Sequence, residues 1–96
     1  MGCYKDRYPD RAIPTLEGNA EVKNILTGHY KRRVNALGKC MNAAKHIGAT
    51  VFALQDGGQC FASKKAKVAA LKYGKTIGCG KDGKGGALAS DVYEIV

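Results

Sequence analysis

The chain has no tryptophan, two prolines and an aromatic content of only 7%, so any core must be small and built mainly from aliphatic side chains. No apolar run approaches the length that crosses a bilayer as a helix, which argues against a membrane-inserted protein. No two cysteines stand in a C-x-x-C pair, and His29 and His46 fall in no ligand spacing, so a structural zinc site is not expected. A G-x-S-x-G elbow is also missing, and the eight carboxylates are scattered without a recognisable acid–base pair. These absences argue against catalysis, a metal and a cofactor.

What is present is a short basic chain. Ninety-six residues make one domain, 1–96, and 45% hydrophobic content is ordinary for a globular fold. Sixteen Lys and Arg against eight Asp and Glu leave a net charge of +8, which suits an anionic partner or a solubilising surface. Cys3, Cys40, Cys60 and Cys79 are even in number, isolated and spread along the chain, the pattern of two disulfides formed in an oxidising compartment. The polar stretch GCYKDRYPDR begins at residue 2 with no apolar segment before it, so a secreted protein would be read here in its mature form. The MGC start is not read as a lipidation signal, because Asp6 stands where Ser or Thr is wanted.

Local patterns predict an α+β fold. A short strand is expected over 2–8, with Tyr4 and Tyr8 on one face, followed by turns around Pro9 and Pro14. Residues 16–34 hold one or two helical turns at most, between Gly18 and Gly28. The clearest helix runs from an Asn35 N-cap to Ile47, with Leu37, Cys40, Met41, Ala44 and Ile47 on one face and Gly48 as its stop. A strand over 50–56, the Gly57-Gly58 pair and a strand from Gln59 form a hairpin. Ser63 is expected to cap a lysine-rich helix over 64–73, a loop with five glycines fills 75–86, and a last strand covers 91–96.

Gly78-Cys79-Gly80-Lys81-Asp82-Gly83 matches G-x-G-x-x-G, but a dinucleotide fold needs a following helix and strand, and thirteen residues remain. The match is set aside. The basic residues form two groups. Lysines 64, 65, 67, 72, 75, 81 and 84 contain no arginine and have only Tyr73 interleaved, so specific nucleic-acid binding is not expected. The run His29-Tyr30-Lys31-Arg32-Arg33, with aromatics beside two arginines, is the better place for an anionic ligand such as a sulfated glycan.

GCYKD at 2–6, followed by Arg11-Ala12-Ile13-Pro14, resembles the opening of WSC domains. The helix bearing Cys40 and the stretch GATVFALQDGGQCFAS at 48–63 look like their helix cysteine and central hairpin. GGALASDVYEI at 85–95 is similar to their closing strand. WSC domains usually carry more cysteines; here Ser63 and glycines stand in their place, and segment 64–84 has a lysine-rich character of its own. The chain thus resembles a divergent four-cysteine WSC-like module, related to PAN and apple modules, in which a disulfide also ties a helix to a central hairpin.

Four cysteines allow three pairings. The resemblance implies Cys40–Cys60, helix to hairpin, and Cys3–Cys79. It also implies a secreted, extracellular, lectin-like module that binds carbohydrate without catalysis. Sugars want planar amides and carboxylates for paired hydroxyls and a tyrosine face for their C–H side. Gln55, Asp56 and Gln59 around the glycine hairpin meet that need, with Asp6, Tyr30, Arg32, Arg33 and Asp91 as further ligand-binding residues. Tyr4 and Tyr93 are assigned to the core. The competing readings are a cationic host-defence or membrane-active protein, and an extracellular protein-interaction module.

Overall fold

The structure, a computed structural model, describes residues 2–6, 13–64, 73–80 and 83–95. Helix α1, Ala36–His46, carries the strong helix formers Ala, Leu, Lys and Met at most of its positions and ends in a complete Schellman motif. Gly48, at φ 75°, donates its N–H to the Lys45 carbonyl, and Ala49 donates to that of Ala44. Asn35 is the N-cap, but not by the expected mechanism. It adopts the left-handed region at φ 53° and its side chain makes no capping bond; instead it folds over Gly38, where a Cβ would meet it at 2.6 Å. Asn is one of the few residues other than glycine that tolerates this backbone.

The buried face of α1 is Ala36, Cys40, Ala43 and Ala44, with Met41 and Ile47 half-buried at its border. Leu37, expected on that face, is exposed. The reason is the close approach of the hairpin: a Cβ on Gly58 would stand 3.1 Å from that of Ala36, so only a small side chain fits at the contact.

Four strands form one antiparallel sheet in the order β1-β4-β2-β3, with β1 Gly2–Lys5, β2 Val51–Gln55, β3 Gln59–Ser63 and β4 Ala89–Glu94. The last strand thus inserts between the first and second. β2 reads as a continuous apolar run because both its faces are covered. Phe52 and Leu54 face α1 with Cys60, Ala62, Leu16, Val22 and Leu26, while Val51 and Ala53 face away with Tyr4, Ile13, Phe61 and Val92. Tyr93 stacks on Phe52 with ring centroids 5.1 Å apart, so both tyrosines assigned to packing do pack.

Neither sheet edge among the described residues is left bare. Leu16 N–H bonds the Cys60 carbonyl and Ala62 N–H that of Pro14, alongside β3. On the other edge Lys5 N–H reaches the Gly74 carbonyl and Thr76 N–H that of Cys3. Such covering removes a template for strand-to-strand association.

Several expected boundaries move. β4 begins at Ala89, not 91, and β3 runs on to Ser63, while the helix that Ser63 is expected to cap lies outside the described residues. Residues 65–72 of the expected second helix, and 7–8 of the first strand, lie outside the described residues. Residues 16–34 contain turns, closed by bonds such as Val22 N–H to Asn19 O, and one short 3₁₀ turn, Tyr30–Arg32.

Two disulfides staple the domain, Cys3–Cys79 and Cys40–Cys60, in the pairing that the resemblance implied. They suit folding in an oxidising compartment. Among the described residues no helix is long and apolar enough to cross a membrane. Cys40–Cys60 closes a loop with a sequence separation of 20, and both cysteines are fully buried. The double variant Cys40→Ala/Cys60→Ala is expected to lose about 3 kcal/mol of unfolding free energy on chain entropy alone. Urea unfolding checks this, and a loss below about 1 kcal/mol would contradict it.

Candidate functional site

The segment leading into α1 is held by one side chain. The guanidinium of Arg33 donates from Nη1 and Nη2 to the two carboxylate oxygens of Glu17, both at 2.8 Å. It also donates to the carbonyls of Gly58 at 2.9 Å, Gly28 at 3.0 Å, Thr27 at 3.3 Å and Leu26 at 3.4 Å. Glu17 Oε2 accepts a further bond, at 2.8 Å, from the Cys60 amide. The side chain of Arg33 is only 2% exposed. All five guanidinium N–H groups meet acceptors, so Arg33, expected to touch ligand, is an internal anchor with no donor left to offer.

Above that anchor runs His29-Tyr30-Lys31-Arg32. The 3₁₀ turn is closed by Arg32 N–H to the His29 carbonyl, and His29 Nδ1 accepts from Lys31 N–H at 3.3 Å. The rings of His29 and Tyr30 stack at 4.7 Å between centroids and 22° between planes. His29 is exposed and Tyr30 half-exposed.

The hairpin turn supports this pair from beneath. Asp56 at φ 49° and Gly57 at φ 93° are both left-handed, as a type I′ turn requires, and Gly58 N–H returns to the Gln55 carbonyl. A Cβ on Gly58 would fall 2.5 Å from the Tyr30 carbonyl oxygen, so glycine is what lets the 3₁₀ turn ride on the hairpin. Lys31 Nζ lies 3.8 Å from Asp56 Oδ2 across that contact.

A third segment completes the end of the sheet. The carbonyls of Gly86 and Lys84 accept from the amides of Asp56 and Gly57. Asp91 Oδ2 accepts from Gly85 N–H at 2.8 Å, and the Tyr93 hydroxyl donates to Gly83 O at 2.7 Å. Asp91, expected to bind ligand, therefore anchors this loop.

The remaining expected residues divide. Gln55 and Asp6 are buried, at 2% and 6% exposure, on the face of the sheet away from α1. Gln55 Nε2 donates to Asp6 Oδ2 at 2.5 Å and to Ser90 Oγ at 2.7 Å. They form an interior polar cluster, because β1 and β4 bring Asp6 and Ser90 alongside the end of β2. Gln59 is half-buried opposite Gln55 in the hairpin register. Tyr30, Arg32 and Asp56 are the expected residues that the structure leaves at the surface around one hairpin tip. His29 and Lys31 join them, and the HYKRR run was their signal. Glu17, on which the arrangement rests, had none.

Among the described residues one group has metal-ligand spacing: Cys3, Cys79 and Asp91, whose ligand atoms lie within 4.8 Å of one another. The two sulfurs are joined in a disulfide, which leaves no thiolate to bind a metal. No protein-family model matches the chain, and neither the curated proteins nor the solved structures yield a significant match.

Replacing Glu17 by alanine strands the buried Arg33 charge among neutral carbonyls. The variant Glu17→Ala is expected to lose about 3–5 kcal/mol of stability, read from the shift in its urea midpoint. A cost near zero would show that the anchor is not Glu17.

Proposed function

We propose that this chain is a secreted carbohydrate-binding module of WSC-like type that holds sugar at the hairpin tip and performs no catalysis of its own. The observation that carries the reading is the His29–Tyr30 stack at the surface, on a turn whose Lys31 reaches Asp56 across a hairpin held by Arg33. A pyranose has an apolar C–H face and a polar rim of hydroxyls. The Tyr30 ring serves the first, and the polar side chains of His29, Lys31 and Arg32 on the same turn serve the second.

The support matters as much as the groups it presents. A turn locked before the ligand arrives spends little free energy on ordering, which a shallow site cannot spare. The type I′ turn, the buried ion pair and the loop bonds to Asp56 and Gly57 supply that rigidity. Single-site sugar binding is ordinarily weak and gains from repetition, so presenting several copies should strengthen binding without any new contact.

The test is a glycan array probed with multivalent protein, wild type against Tyr30→Ala. The wild type should bind a defined set of glycans, and the variant should lose about ten-fold in affinity while keeping its unfolding midpoint. An empty array for the wild type defeats the proposal.

A further inference from the structure

We infer that the sugar taken by this site is acidic, bearing sulfate or carboxylate, and that Asp56 is the built-in counter-ion that such a group displaces. The inference rests on the carbohydrate-binding reading and narrows it to a substrate class. It begins from two adjacent arginines with opposite fates. Arg33 spends every donor inside the protein, whereas Arg32 is exposed and its guanidinium has no hydrogen-bond or ion-pair partner among the described residues. A planar fork of N–H donors with nothing to bind is suited to a bidentate oxyanion.

Its neighbour Lys31 is partly neutralised, but weakly. The Lys31–Asp56 pair is 3.8 Å long, with side chains 59% and 42% exposed. Water screens such a pair, so an incoming oxyanion can replace Asp56 with little loss. Successive side chains of a 3₁₀ turn leave the backbone about a third of a turn apart. With Lys31 directed to Asp56, Tyr30 and Arg32 flank it on either side. Tyr30, Lys31 and Arg32 thus lie on different sides of one short turn, across which an acidic glycan chain can lay a C–H side on the ring and set anionic substituents against the two cations.

The experiment measures binding of the whole protein to dextran sulfate and to unsulfated dextran, which share a backbone, at low and high salt, with oligothymidylate as a third probe. The wild type should bind dextran sulfate above both others. Lys31→Gln/Arg32→Gln should weaken that binding about ten-fold. Lys23→Gln/Lys45→Gln, which removes the same charge from exposed positions elsewhere, should change it by less than about two-fold. Asp56→Asn should strengthen it about two-fold, an increase that shrinks as salt rises.

Equal losses in the two lysine-bearing variants would replace the site by diffuse attraction to a +8 protein and overturn the inference. Stronger binding of oligothymidylate would overturn it in favour of a nucleic acid. Binding of neutral glycans alone would overturn it while the carbohydrate reading stands, and no binding to dextran sulfate or to any arrayed glycan would defeat both.

Discussion

The Glu17–Arg33 ion pair allows a long segment with almost no regular secondary structure to keep one shape. Backbone carbonyls that are not paired in a helix or sheet must find donors or remain in water. Between Leu26 and Gly28 three of them find the same guanidinium, and the hairpin carbonyl of Gly58 finds it too. Glu17 neutralises the charge that this concentrates and uses a spare lone pair on the Cys60 amide, beside the disulfide. A single buried side chain thereby registers three stretches of chain against one another. The position of Tyr30 follows from that registration, since its carbonyl lies directly over Gly58.

The rest of the fold compensates for a shortage of large apolar residues. Alanines on α1 bring the helix close to β2 and β3 but bury little surface apiece. The sheet makes up part of this by packing on both faces, with Phe61 and Val92 on one side and Phe52 and Leu54 on the other. A domain of this size has little surplus from its core, and the two bridges restrict the unfolded chain where packing cannot do more.

Features set by local chemistry could be read from the sequence alone. Helix α1, its glycine stop and the hairpin depend on periodicity and on turn residues within a few positions, and each was found within a residue or two. The disulfide pairing followed from resemblance, because four isolated cysteines leave the alternatives open. The start of β4 is not legible in the sequence, since Ala89 and Ser90 carry no β-branched or aromatic signal and become strand by pairing with β1.

The candidate site could be located at HYKRR and the hairpin tip, but not resolved. Which of two neighbouring arginines is solvated depends on a carboxylate 16 residues earlier in the chain. Gln55 ends a strand beside a turn and reads as a surface residue; it is buried because the first and last strands bring Asp6 and Ser90 to it.

The covalent link between Cys3 and Cys79 also decides how the domain would bear tension. Gly2 lies opposite Val92 in the antiparallel β1–β4 pair, so a pull on the two ends meets the ladder at one extremity and opens it bond by bond. Once β4 peels away, force passes from Cys3 straight through the bridge to Cys79, bypassing all the intervening chain. Only the stretch beyond Cys79 can pay out. The helix, the hairpin and the anchored 3₁₀ turn lie inside the closed loop, mechanically sheltered while the bridge is intact.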